Sequence, residues 1–275
     1  MFEMNKNVLR LKKAVYYFLK ELRSDPYKLP YMGDKYLCPL CNTGLEYFNP
    51  IDPAILEAAD KYESVYPMFS FETANLFKYS CPRCSSSDRD RLYALYFEER
   101  LANAPAGRVY NVLDIAPSAL RTYLKGRPDI NYRSCDLFYE DVDDRGVDIT
   151  DMKQYTDGQF DIFVCSHVLE HVKKDGKAMR ELRRVLKPDG WGIAMVPINL
   201  SIEETFEDDS ITSDADRWKY YGQDDHVRMY SRKGFVSSLE NAGFKVNQLG
   251  IDHFGEAMFH KCGIHPRSVL YIVEQ

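Results

Sequence analysis

Apolar residues along this chain repeat first with a helical period and then in alternating strand-like and helical blocks. Val8, Leu11, Val15, Phe18, Leu19 and Leu22 form one stripe, opposite Lys6, Arg10, Lys13, Lys20 and Arg23, which predicts an amphipathic helix. Pro26 and Pro30 then mark a linker. Ser87 or Asp88 can cap a helix running to about Leu101, with Leu92, Leu95 and Tyr96 on its buried side. From there the pattern predicts strands over 109–115, 130–135, 146–149, 161–165 and 191–196, with helices over 118–124 and 175–186. Ala178, Met179, Leu182, Val185 and Leu186 fall on one face of the second helix, and Lys187-Pro-Asp-Gly190 stops it. Residues 200–225 lose periodicity and turn acidic, as expected of a mobile loop over a site. Ser231 begins a last helix ending at Gly243, followed by strands over 244–249 and 268–273.

Alternation of this kind is an α/β chain with a mostly parallel sheet covered on both faces. Ligands of such sheets bind in the crevice at the carboxyl ends of the strands. The sequence says most about that edge at 160–172, where a buried run ending at Cys165 opens directly into Ser166 and His167.

Composition narrows the class. With 45% hydrophobic and 28% charged residues, the chain reads as a soluble globular protein. A net charge of −6 disfavours a general phosphate-backbone binder, so a nucleic-acid partner is not expected. No apolar run approaches the ~20 residues of a transmembrane helix, and Arg10, Lys12 and Lys13 interrupt any signal-peptide core. A cytoplasmic location is the expectation, and in that compartment the seven cysteines suggest metal ligands rather than a disulfide framework.

The cysteine spacing supports that reading. Cys38-Pro-Leu-Cys41 and Cys81-Pro-Arg-Cys84 are two matching turns, each directing two thiolates to one point, and together they supply a closed tetrahedral site for structural Zn2+. Residues 42–80 lie between them, a longer insert than the ~15–20 residues of a compact ribbon. The domains expected are 1–30, an N-terminal amphipathic helix and linker; 31–87, a four-cysteine zinc-binding subdomain with its insert; and 88–275, the α/β domain.

The α/β part resembles a class I S-adenosylmethionine-dependent methyltransferase of the type 11-like group. The resemblance rests on Val-Leu-Asp114-Ile-Ala-Pro, on Asp136, on Phe-Asp161 running into His167-Val-Leu-Glu-His171, and on Glu181-Leu-Arg-Arg-Val-Leu-Lys-Pro-Asp-Gly190. It implies a Rossmann-like seven-stranded sheet with an antiparallel last strand and S-adenosylmethionine across the ends of its first four strands. It also implies that Asp114 orients the methionine end, that Asp136 and Leu137 meet the ribose, that Asp148 and Ile149 flank the adenine, and that Ser166 and His167 face the sulfonium. One departure stands out: the family's first loop usually carries glycines where this chain has Ala116, Ser118 and Leu120, with Pro117 between them. The cysteine segment, together with Asp225-His226-Val-Arg228-x-Tyr230, further resembles a bacterial subgroup linked to glycan or surface-polymer biosynthesis.

The implied chemistry is methyl transfer to a small-molecule or glycan-type acceptor at oxygen or nitrogen. A hydroxyl acceptor benefits from a general base, for which His226 and then His167 are the candidates. Arg228 and Tyr230 are candidate substrate-binding residues; an internal ion pair between Arg228 and the acidic loop is the competing role. His171 reads as a packed histidine. Three other readings compete: a degenerate methyltransferase fold serving as a scaffold, an RNA methyltransferase, and a zinc peptidase suggested by the His-x-x-Glu-His string, which requires both histidines on one helix face. The sequence leaves the oligomeric state open.

Overall fold

The computed structural model describes residues 31–105 and 107–275; the helix expected over residues 8–22 lies outside them. A hairpin opens the described chain, strand β1 (Met32–Cys38) pairing antiparallel with β2 (Thr43–Leu45). Helix α1 (Pro53–Lys61) follows, capped by the Asp52 carboxylate on the Ala54 amide. Helix α2 (Asp88–Ala102) starts at Ser87, whose hydroxyl and the Asp90 carboxylate form a reciprocal capping box.

The main sheet comprises β3 (Tyr110–Ile115), β4 (Ile130–Asp136), β5 (Asp144–Arg145), β6 (Phe160–Ser166), β7 (Leu186–Met195), β8 (Lys245–Leu249) and β9 (Leu270–Glu274). Their spatial order is β5-β4-β3-β6-β7-β9-β8. The first five run parallel, and β9 runs antiparallel to both neighbours. The expected seven-stranded, mostly parallel sheet is therefore present. Strand β6 sits at its centre with Phe160 to Cys165 all buried, because helices cover both faces. Helices α3 (Leu120–Lys125) and α4 (Asp175–Val185) follow β3 and β6, and α4 buries Ala178, Met179, Leu182 and Val185.

Two expectations need correction. The strand expected over 146–149 is instead β5 at Asp144–Arg145; Gly146 turns left-handed (φ 66°) and ends the extended run. The 200–225 segment is not a bare loop: helix α5 (Asp214–Tyr221) forms within it, capped by Ser213, and Phe206 bridges to Met229. Helix α6 (Arg232–Asn241) is capped by Ser231 as expected, and α7 (Ile251–Phe254) and α8 (Glu256–Lys261) precede β9. No helix among the described residues is long and apolar enough to cross a membrane.

The cysteine segment is welded to the sheet domain. Arg91, fully buried on α2, donates to the carbonyls of Lys78, Tyr79, Ser86, Cys262 and Gly263, and its guanidinium lies 3.9 Å from the Phe48 ring centre. Five carbonyl acceptors satisfy the buried cation, and the buried Asp88 and Asp90 carboxylates offset its charge. Glu72, 1% exposed, accepts from Tyr271 Oη (2.9 Å) and Arg232 Nε (2.7 Å), which pins the insert to the far end of the sheet.

Candidate active site

The four cysteines converge. Cys38 Sγ lies 3.7 Å from Cys84 Sγ, and Cys41 Sγ lies 3.9 Å from Cys81 Sγ, with all four sulfurs within 4.8 Å of one another. A tetrahedron with metal–sulfur bonds of ~2.3 Å has edges of about 3.8 Å, so the arrangement fits a single ion. Asn42 (φ 48°) and Ser85 (φ 60°), each directly after the second cysteine of its pair, are left-handed and turn the chain back at the same point of both knuckles. Hydrogen bonds from Cys81 and Cys84 hold the Cys38 thiol far below its ordinary value, and the same contacts push Cys81 up.

At the carboxyl edge of the sheet, Asp114 ends β3 almost fully buried and accepts a 2.8 Å hydrogen bond from Tyr132 Oη. Burial raises its carboxyl to about 7, against the opposing pull of that hydrogen bond. Ala116 has φ 50°, so the loop takes the left-handed path of a glycine without being one. Ser118 is occupied: its hydroxyl donates to Asp90 Oδ1 (2.5 Å) and accepts from the Leu120 amide (3.3 Å), tying the loop to the start of α2. Leu120 is itself buried.

Asp136 stands at the tip of β4. Its Oδ1 accepts from the amides of Phe138 (2.6 Å) and Tyr139 (2.7 Å), while Oδ2 has no hydrogen bond among the described residues. That free oxygen, beside exposed Leu137, Phe138 and Tyr139, is available to a ligand's hydroxyls. The Val147 amide donates to the Asp136 carbonyl (3.0 Å) and brings the next turn alongside, where Asp148 accepts from the Thr150 amide and Ile149 is 5% exposed.

Ser166, at the tip of β6, shares a 2.8 Å hydrogen bond with Tyr93 Oη. His167 follows with φ 57° and donates its amide to the Met195 carbonyl, so the imidazole is held in a strained turn at the edge. Burial, aided by the Arg89 guanidinium, lowers its pKa to about 4 and leaves the ring neutral near pH 7. The His-x-x-Glu-His string occupies this turn and the short 3-10 segment Leu169–His171, not one face of an α-helix, so the peptidase geometry is not met.

His167, Glu170, His171 and His226 line a cavity of about 310 Å³. Its opposite wall comes from the cysteine insert, through Ile51, Ile55, Met68 and Phe71. Glu170 is 1% exposed; burial alone would raise its carboxyl, but the facing imidazoles, His167 foremost, hold it below its ordinary value. His226 is 3% exposed, its Nδ1 lies 3.1 Å from the Tyr221 carbonyl, and burial lowers its pKa.

Arg228 and Tyr230 do not belong to this cavity. Arg228 is 2% exposed and pairs with Glu207 (2.9 Å) while donating to the carbonyls of Leu169, Val172 and Lys173. Tyr230 is buried and donates to Asp175. Both brace the turn after β6, with the polar groups expected to meet a substrate engaged inside the protein. The residues missed from sequence are Glu170 and the insert's apolar wall. For Glu170 a signal existed, since a carboxylate inside Val-Leu-Glu-His-Val has apolar neighbours that pull it inward.

Residues 94–249 match the family model described as a methyltransferase domain. Among solved structures of similar fold is the CurJ carbon methyltransferase, at 14% identity over 67% of this chain and 57% of that one, with a TM-score of 0.43. The chain thus spans little more than half the length of that protein. An S-adenosylmethionine-dependent methyltransferase from Archaeoglobus fulgidus is 15% identical over 70% of this chain and 96% of that one (TM-score 0.43). A putative methyltransferase from Bacillus halodurans is 16% identical over 65% and 94% (TM-score 0.38). No curated protein sequence matches the chain. With more than half of its residues matched by the family model and the sheet order described above, the chain belongs to the methyltransferase-domain family, as a class I S-adenosylmethionine-dependent methyltransferase.

Proposed function

We propose that this enzyme methylates an oxygen or nitrogen of a small-molecule or glycan-type acceptor in the cytoplasm. The observation that carries the reading is the cavity of about 310 Å³ between the tip of β6 and the insert, with imidazoles on one wall and aliphatic and aromatic side chains on the other. Its volume suits one small ligand or one terminal sugar. An imidazole wall serves proton removal, and an apolar wall serves orientation and the exclusion of water.

Bound S-adenosylmethionine supplies an already activated methyl group, so the protein's tasks are alignment and deprotonation. In this reading Asp136 accepts from the ribose hydroxyls through its free Oδ2, Leu137 and Ile149 give apolar contact, and Asp148 gives polar contact to the adenine. Asp114, Ala116 and Ser118 shape the loop at the methionine end. Ser166 and His167 stand beside the transferred group. His167 and His226 are the imidazoles proposed to take the acceptor's proton. The cluster of Cys38, Cys41, Cys81 and Cys84 would hold Zn2+ in a closed, structural role, since four thiolates leave no open position. That ion anchors the insert, and through the insert the apolar wall of the cavity.

Calorimetry tests the cofactor assignment. The wild type is expected to bind S-adenosylmethionine, and Asp136→Ala at least tenfold more weakly, because two hydroxyl contacts lose their acceptor. Equal affinity in the two proteins would rule out the ribose role of Asp136. Release of S-adenosylhomocysteine against a panel of sugars and small alcohols or amines would then identify the acceptor.

A further inference from the structure

Glu170, His171 and His226 form a second cluster of metal-ligand type, separate from the cysteines and inside the cavity. Their ligand atoms lie within 4.8 Å of one another, with Glu170 Oε1 at 3.9 Å from His171 Nε2 and 4.0 Å from His226 Nε2. Among the described residues neither carboxylate oxygen of Glu170 has a well-aligned hydrogen bond, and the nearest nitrogen is His167 Nδ1, 3.3 Å from Oε1. A buried carboxylate normally recruits several donors; this one has imidazoles alone around it.

The two histidines sharpen the anomaly. His226 Nδ1 faces the Tyr221 carbonyl at 3.1 Å, and His171 Nδ1 faces Asp225 Oδ2 at 3.2 Å. Both partners only accept, so the geometry at Nδ1 suits an N–H there and leaves Nε2 of each ring directed at Glu170. Two imidazole nitrogens and a carboxylate oxygen therefore converge on one point. Backing of each histidine by a carbonyl or carboxylate is the outer-shell arrangement that fixes metal-ligating imidazoles.

We propose that Glu170, His171 and His226 bind a divalent first-row transition ion at the floor of the acceptor cavity. Tetrahedral ligands at ~2.0–2.2 Å from one ion stand about 3.4 Å apart, so the two carboxylate–imidazole distances of 3.9 and 4.0 Å would close by about half an ångström on binding. Two imidazoles and one carboxylate select zinc, cobalt, iron or manganese over magnesium or calcium, which prefer oxygen ligands. Three protein ligands leave open positions facing the cavity.

The chemical role assigned to the ion rests on the methyl-transfer reading. An acceptor hydroxyl held at an open position would become more acidic and would lose its proton to a solvent base in the open cavity. The oxygen then uses an electron pair to form the bond to the methyl carbon. The methyl–sulfur bond breaks with its pair going to sulfur, which converts the sulfonium to a neutral thioether. With both of its nitrogens engaged, His226 acts here as a ligand in place of the proton-accepting role proposed for it above.

The test is titration of Co2+ into the zinc-loaded full chain, followed by calorimetry and visible absorption. One saturable equivalent without thiolate charge-transfer absorption is expected in the wild type. Affinity should fall at least tenfold in Glu170→Gln and His171→Ala, and about tenfold in Asp225→Asn, whose side chain is 63% exposed and whose loss should not impair folding. Absence of Co2+ binding in the wild type, binding only with thiolate absorption, or equal binding in wild type and Glu170→Gln would overturn the site. S-adenosylmethionine affinity measured on the same samples keeps the two readings apart. Loss of cofactor binding in the wild type would sink the methyl-transfer role while leaving the cation site standing.

Discussion

Two clusters of metal-ligand type occur among the described residues, and they are built in opposite ways. The cysteine cluster is made of two local turns of the same sequence, all four donors are alike, and the sulfurs stand at tetrahedral spacing. The cavity cluster joins two adjacent residues, 170 and 171, to a third at 226, mixes carboxylate with imidazole, and surrounds its carboxylate with imidazoles. A closed set of identical thiolates can only hold a structure together, whereas an open mixed set beside a cavity can act on what enters it. Loss of one ligand should therefore cost far more stability at the cysteines than in the cavity.

The largest effect is expected at the cysteines. Cys81→Ser should release one equivalent of zinc and lower the melting temperature by on the order of 10 °C, because the metal-binding free energy is folding free energy for so small a unit. Damage should spread beyond the knuckles, since Arg91 and Glu72 couple them to α2 and to β9. Metal analysis with differential scanning calorimetry provides the check. Unchanged metal content and melting temperature would remove the closed site from the comparison.

Glu170→Gln should move stability far less. In cation-free protein the neutral amide gives up the attraction of the facing imidazoles, and in exchange its N–H groups can donate to the Nε2 atoms of His171 and His226. A loss of about 1 kcal/mol is expected. Saturating Co2+ should then stabilise the wild type and not the variant, so the gap in melting temperature between them widens. A variant destabilised as much as Cys81→Ser without cation would mean that Glu170 is a structural carboxylate.

Legibility in the sequence follows the same division. The Cys-Pro-x-Cys turns, strand β6 and helix α4 are readable because their signals are local or periodic within a few residues. The cavity cluster is not, because Glu170 meets His226 only once the chain after β7 returns past the sheet edge. Helix α5 is hidden because Asp214-Ala-Asp-Arg-Trp-Lys-Tyr-Tyr221 carries no apolar stripe; it is positioned by Ser213 at its start and by stacking of Trp218 on Tyr62. Arg91 and Arg228 resemble surface arginines in sequence, and only the backbone carbonyls gathered around them explain their burial. Asp136 is legible as a cofactor residue through its place at a strand end, whereas the insert's share in the cavity depends on contacts far apart in sequence.

The smallest expected effect separates the two regions by backbone strain. Both use left-handed non-glycine residues: Asn42 and Ser85 in the knuckles, Ala116 and His167 at the crevice. Asparagine tolerates that conformation because its short polar side chain bonds locally, whereas alanine there costs roughly 1 kcal/mol. Ala116→Gly should therefore raise the melting temperature by about 2 °C, part of the relief being cancelled by the greater freedom of glycine in the unfolded chain. Asn42→Gly should leave it within about 1 °C, since little strain is present to relieve. A drop in Ala116→Gly would mean that the alanine methyl makes packing contacts worth more than the strain. The loop would then be adapted to alanine rather than merely tolerating it. Equal gains in both variants would mean that the strain is spread over knuckle and crevice alike, leaving metal chemistry as the sole distinction between them.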